Sequence, residues 1–214
     1  MQNRLEMVND NVLRLSTTYF GPVQWYQKLH RAERVEIEQW ESFQKQTYRN
    51  RCLIATTQGV QALTVPVERE LPSAASTIRD IRISDHGNWR HLHWNALLSA
   101  YGESPFLEYY QDDIRPFFER RWEFLLDFNM EICQKLCQLL DISPELSLTV
   151  SFEKDTPSDV QDFRSAIRPK HPLPDADFTP KPYYQVYQQK YGFLPNLSIL
   201  DLLFNMGPEA IYYL

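Results

Sequence analysis

The sequence predicts an α/β fold: a single domain in which a mixed β-sheet is flanked by α-helices. Three observations carry that expectation. A β-rich run, an amphipathic helix and a second alternating run follow one another within the first 40 residues. Two further β-rich runs bracket Gln58-Gly59, and the middle of the chain carries apolar residues at three- to four-residue spacing. At 214 residues the chain can bury a sizeable core in one domain. We divide it into a polar leader (1–10) and the domain (11–214), with a proline-rich loop at 168–182.

In order along the chain, "VLRLSTTYF" (12–20) reads as a strand rich in β-branched and aromatic residues and is stopped by Gly21-Pro22. Pro22 suits a first helical turn, and Val23, Tyr26 and Leu29, with Trp25 beside them, mark an apolar stripe. "RVEIEQW" (34–40) then alternates with the period of a strand. The runs on either side of Gln58-Gly59 predict a hairpin, and "STIRDIRIS" (76–84) a further strand with a bulge. Helices follow from Asn88 to Tyr101, from Ser104-Pro105, and across 121–142, where Phe124, Leu125, Phe128, Ile132, Leu136 and Leu139 recur on one face. Residues 146–152 return to strand. Five prolines at 169, 172, 174, 180 and 182 exclude helix or central strand there, so an ordered surface loop or extended arm is expected. Asn196 or Ser198 can cap a short helix, and Pro208 opens a last one.

Composition removes several function classes. A net charge of -6 disfavours binding to a nucleic-acid duplex, which needs surplus Lys and Arg against phosphate. No apolar run approaches the roughly 18 residues that insert into a membrane. "MQNRLEMVND" lacks the apolar stretch of a secretory signal, so a cytoplasmic location is expected. Three cysteines without framework spacing read as free thiols. Cys133 and Cys137, four apart on a helix, are either two ligands on one face or two small buried side chains. No cofactor and no metal follow from the sequence, and a homo-oligomer is compatible with it.

Chemistry concentrates in two stretches. In "ISDHGNWRHLHWNALLSAYGESPF" (83–106), Asn88 can cap a helix on which Trp89, His93, Ala96, Leu97 and Ala100 share the inward stripe. His91 lies about 200° around from His93, so the two cannot chelate one ion. His93 is then either a structural histidine or a pocket acid-base residue. Asp85, His86 and Gly87 precede the helix N-terminus, where free N–H groups attract anions, which makes 84–90 a candidate pocket wall. In "QKQTYRNRC" (44–52), an extended backbone would put Lys45, Thr47, Arg49 and Arg51 on one face. Such a row implies an anionic partner: a carboxylate or phosphate ligand, or the protein's own Glu36, Glu38 and Glu41. Glycine-rich phosphate loops, Gly-x-Ser-x-Gly and His-Glu-x-x-His are all missing from the sequence. Adjacent Asp112 and Asp113 diverge on a helix and form no shared-proton pair.

Taken together, "YFGPVQWYQKL" (19–29), "EQWESFQKQTYRNRC" (38–52), "LTVPV" (63–67), residues 83–110 and "FLPNLSILDLLFN" (193–205) resemble the WbqC-like family in order and over nearly the whole chain. Thr17-Thr18 stand where many members carry Gln-Pro. The resemblance implies a role in bacterial surface polysaccharide (O-antigen-type) biosynthesis, with transfer of an acyl or aminoacyl group such as glycine to a sugar. It also implies that Asn50 and Arg51, Trp89, Arg90 and His93, and Asn196, Ser198 and Asp201 belong to one pocket. Under that reading His93 accepts the proton and Asp201 orients it. Lys45, Arg49, Asn50, Arg51, His86, Trp89, Arg90, Asn196 and Ser198 bind a sugar or nucleotide-sugar-like anionic small molecule. The rival expectation is a non-catalytic sugar- or partner-binding protein of the same system, to which the aromatic content is suited. A nucleotide-dependent enzyme ranks third for want of a glycine loop.

Overall fold

The structure, a computed structural model, describes residues 12–68 and 76–214; the polar leader expected at 1–10 lies outside them. Strand β1 (Val12–Ser16), helix α1 (Val23–Arg31) and strand β2 (Arg34–Glu38) form the opening unit. β1 pairs β2 in parallel from Val12↔Arg34 to Ser16↔Glu38, and α1 is the crossover that parallel neighbours need. β1 is shorter than the apolar run suggests because the chain turns sharply after it. Phe20 takes a left-handed backbone (φ 42), and a Cβ on Gly21 would lie 2.4 Å from Thr18 Oγ1, so this corner admits only glycine.

The hairpin is present as β3 (Arg51–Thr56) and β4 (Gly59–Thr64), antiparallel from Arg51↔Thr64 to Thr56↔Gly59, with Gly59 at φ 98 in the turn. The helical middle follows as α2 (Trp89–Tyr101), α3 (Leu107–Ile114), the short α4 (Pro116–Glu119) and α5 (Leu125–Leu139). Strands β5 (Glu145–Leu148) and β6 (Val160–Asp162) complete the first sheet, whose order is β5-β2-β1-β6 with every pair parallel. The parallel and antiparallel pairings of the expected mixed sheet are thus divided between two sheets. The C-terminal part holds α6 (Gln188–Tyr191), α7 (Ile199–Met206) and a 3-10 turn over Gly207–Tyr213.

Three expectations are corrected. "STIRDIRIS" is no strand: Ile78–Asp80 form a single 3-10 turn, tied by Thr77 Oγ1 to Asp80 Oδ2 at 2.6 Å. That turn buries Ile78 and Ile81 three residues apart, a spacing that alternation alone cannot separate from a bulged strand. Residues 45–50 are a series of turns, with Gln46 at φ 62, and strand geometry begins only at Arg51. The cationic row is therefore broken, and its members part company. Finally, α5 starts at Leu125 because Glu123 and Leu125 are used in extended pairing: Ile83 N–H donates to Glu123 O and Leu125 N–H to Ile81 O, each at 2.9 Å.

The core is aromatic. Tyr19, Phe20, Phe128 and Phe204 are fully buried, and Trp89, Phe117 and Phe118 nearly so, with edge and tilted ring contacts joining the corner after β1 to α2, α4 and α5. Burying each such ring contributes about 2–3 kcal/mol before the entropy of ordering is subtracted. The proline-rich segment is an ordered arm laid on α1. Asp175 receives Lys28 Nζ at 2.8 Å and Gln24 Nε2 at 2.8 Å, while Asp177 O receives Gln27 Nε2 and Arg31 Nη1 at 3.0 Å each.

Candidate functional site

In a parallel sheet whose order reverses beside its first strand, ligands commonly enter the crevice at the strands' carboxyl ends. Here the reversal lies between β1 and β6, and that crevice is filled by the protein itself. Arg49 bonds Glu41 through Nε (2.8 Å) and Nη2, and Ser16 Oγ through Nη2 (2.7 Å). Arg164 bonds Glu38 at 2.9 Å and Asp162 at 2.6 Å, and Thr149 Oγ1 donates to Glu38 at 2.8 Å. The space left among Ser16, Thr18, Arg49 and Arg164 is about 10 Å³, room for one water at most. α1's first N–H groups are also taken, Val23 N–H by Leu197 O (3.0 Å) and Gln24 N–H by Asn196 Oδ1 (2.9 Å).

A large open cleft among the described residues lies elsewhere, along the hairpin. This cleft, of about 1150 Å³, is walled by the turns at 42–46, by Asn50 and Arg51, by residues 64–68, and by Ile81, Ser84 and His86. Lys45 and Arg51 supply its cations, His86 an imidazole and Glu68 its acid, with Phe43, Val65, Pro66, Val67 and Ile81 as the apolar surface. Arg51 uses Nε on Thr64 Oγ1 at 3.1 Å, and its two terminal nitrogens have no partner among the described residues. Lys45 likewise has no ion-pair partner among them and is exposed. Asn50 is buried to 6% exposure; its Nδ2 donates to Val65 O at 2.9 Å and its Oδ1 is left without a partner. Two cations and an unpaired acceptor on one wall suit a polar anionic ligand.

Of the residues expected together, Lys45, Asn50, Arg51 and His86 line this cleft, and Arg49, next in sequence, faces the opposite way into its ion pair with Glu41. Trp89 and His93 stand directly behind the wall. Trp89 Nε1 donates to Ser84 O at 3.0 Å, and His93 bonds the backbone of Thr64 while its Nδ1 lies 2.8 Å from the Tyr19 hydroxyl. Burial pushes the His93 imidazole down to about 4, against the opposing effect of the Thr64 bond, so the ring is neutral at pH 7. A tautomer with the proton on Nε2 lets Nδ1 accept the Tyr19 O–H. Arg90 does not line the cleft: it pairs with Asp85 at 2.5 Å, its guanidinium lies over the Trp89 ring, and its Nη1 is buried without a partner among the described residues.

The C-terminal polar residues gather around other centres. Asp201 is fully buried and accepts from Tyr101 (3.0 Å), Tyr183 (2.7 Å) and Gln185 (2.8 Å). Burial raises its carboxyl above the usual range, and the three donors oppose that shift. Asn196 holds α1, and Ser198 accepts from Leu200 N–H at 3.3 Å to cap α7 while donating to Phe20 O at 2.8 Å. Asp201, Asn196 and Ser198 do not line the cleft. Ser84 and His86 of the expected 84–90 wall do line the cleft, and the residues that sequence reasoning passed over include Phe43, Thr64, Val65, Val67 and Glu68. The "LTVPV" run was the available signal: a β-rich segment that continues past its hairpin partner has a wall to build.

No group of three or more His, Cys, Asp or Glu side chains among the described residues could hold a metal ion, and no described helix is long and apolar enough to cross a membrane. Residues 17–167 and 175–213 match the WbqC-like protein family. The chain is also similar to the uncharacterized protein Rv1507c of Mycobacterium tuberculosis, 29% identical over 194 residues that cover 80% of this chain and 83% of that protein. No solved structure matches.

Proposed function

The chain belongs to the WbqC-like protein family, and on that premise we propose that the hairpin cleft binds an anionic sugar derivative, a sugar phosphate or nucleotide sugar, in the biosynthesis of a bacterial surface polysaccharide. The observation that carries this reading is Arg51. Its Nε is bonded to Thr64 Oγ1 and both terminal nitrogens have no partner among the described residues, so the guanidinium fork stands ready at the cleft with Lys45 and His86 along its walls. A preset fork of this kind binds phosphate or carboxylate with less ordering cost than a free side chain. The mixture of apolar wall and a few polar groups is what a sugar ring or nucleobase requires beside the anion.

A second reading, transfer of an acyl or aminoacyl group onto the bound sugar, is favoured by one feature: the neutral His93 imidazole lies one residue layer behind Thr64 of the wall. Nδ1 is engaged by the Tyr19 hydroxyl and the ring is buried behind the wall, so binding is the reading with the stronger support.

Thermal shift of the purified protein against nucleotides, nucleotide sugars, sugar phosphates and neutral sugars tests the proposal, because a ligand well above its Kd stabilises by a few kcal/mol. Stabilisation by the anionic sugar derivatives and not by neutral sugars is expected; no shift with any anionic member overturns it.

A further inference from the structure

Asn50 adds a requirement that the cations alone do not impose. Its side chain is more than nine-tenths buried, its Nδ2 is committed to Val65 O, and the backbone pairs the same two residues again through Val65 N–H to Asn50 O at 2.8 Å. The amide is therefore pinned at the cleft wall with a definite orientation. That leaves Oδ1 as a buried acceptor without a donor among the described residues. An unpaired buried acceptor is costly, and a ligand that brings an N–H or O–H to it recovers that cost.

The neighbourhood narrows which donor fits. Val65, Pro66 and Val67 run on from the point where Asn50 is pinned, and Phe43 and Ile81 complete an apolar lining. A bare hydroxyl would leave that lining without contact, whereas a secondary amide presents an N–H with an acyl methyl beside it, matching an acceptor set among apolar side chains. Arg51, the next residue, supplies the anion contact on the same wall. We infer that the cleft selects anionic sugars carrying an acylamino group, with Asn50 as the specificity-determining residue that accepts the amide N–H and Arg51 holding the phosphate. The inference rests on the anion-binding reading of this cleft and sharpens it.

Calorimetric titration of the full chain with N-acetylglucosamine 1-phosphate, and with 2-deoxyglucose 1-phosphate, which has the same anion and no donor or acyl group at that carbon, tests it. The wild type should bind the N-acetylated compound at least about tenfold more tightly, as one recovered buried hydrogen bond gives. In Asn50→Ala the ratio of the two affinities should collapse toward one; a merely structural loss would weaken both ligands together and leave the ratio standing. Should Asn50→Ala not fold, the wild-type ratio alone decides. Equal affinity of the wild type for the two ligands overturns the acylamino assignment while leaving anion binding intact, and binding of neither overturns both.

Discussion

The Tyr19 hydroxyl lies 2.8 Å from Nδ1 of His93, an imidazole that burial keeps neutral between the corner after β1 and the Thr64 backbone. A histidine buried neutral makes stability depend on acid. Its folded value, about 4, lies below its ordinary 6.5, so in that window the unfolded chain binds the proton and the folded chain does not. The contribution is complete above pH 6.5 and is lost as pH falls toward 4. Urea unfolding of the wild type and His93→Gln between pH 4 and pH 7 should show the two curves converging toward acid, with a change in the difference on the order of 2 kcal/mol. Parallel curves would mean that His93 titrates normally.

Tyr19→Phe removes the donor to Nδ1 and leaves a buried acceptor, which costs about 1–3 kcal/mol. His93→Ala should likewise lower the melting temperature, by several degrees. A His93→Ala protein as stable as wild type would assign the ring to chemistry and not to the scaffold.

Arg49 and Arg51 are two residues apart and have opposite consequences. Arg49→Ala leaves Glu41, at 8% side-chain exposure, as an uncompensated buried carboxylate and should destabilise by about 3–5 kcal/mol. Arg51→Gln should leave the urea midpoint nearly unchanged, since its terminal nitrogens have no partner to lose among the described residues. Equilibrium unfolding of the two variants side by side checks the contrast.

Asp201→Ala strands three buried donors, Tyr101, Tyr183 and Gln185, and should cost about 3 kcal/mol or more, with ligand affinity in the cleft unchanged. Asp201→Asn keeps an acceptor and removes a charge that burial disfavours, so its loss should be smaller. Urea midpoints ordered the other way would exclude this carboxylate as the anchor of the Tyr183 segment.

The arm at 168–182 is tied to α1 by polar contacts, chief among them the Lys28–Asp175 pair with both side chains at or below 5% exposure. Asp175→Asn should reduce hydrogen-exchange protection of Asp177, whose N–H donates to the Asp175 carboxylate, and of Phe178, whose N–H donates to the Asp175 backbone carbonyl on the same loosened arm, before it affects α5. Uniform loss across the protein would show that the arm unfolds only with the whole domain.

How far the sequence could be read follows from the range of the forces involved. α1, β2, the hairpin, α2 and α7 carry their own periodicity, stop signals or caps, and each was legible, although Asn88, expected to cap α2, takes a left-handed backbone and makes no side-chain cap bond. β6 was not: three residues, Val160–Asp162, become a strand only because β1 offers an edge beside them. The turn at Ile78–Asp80 escaped because two apolar residues three apart satisfy a bulged strand and a helical turn alike. In the site, local spacing identified a cationic stretch but could not say which arginine pairs inward, since Glu41 reaches Arg49 only after residues 45–50 turn. His93 was placed on the inward stripe, whereas Asp201 was expected to orient it and instead holds Tyr101, Tyr183 and Gln185; Tyr183 and Tyr19 are contacts between separate segments that no periodicity encodes.

Arg51, and not Arg49, is the proposed anion contact in the hairpin cleft, and titration calorimetry of Arg51→Gln with a sugar phosphate that binds the wild type decides between them. Loss of a charge-assisted contact should weaken affinity by about ten- to a hundredfold at low salt with the fold intact. An Arg51→Gln protein that binds as tightly as wild type would contradict the claim and move the ligand to another part of the molecule.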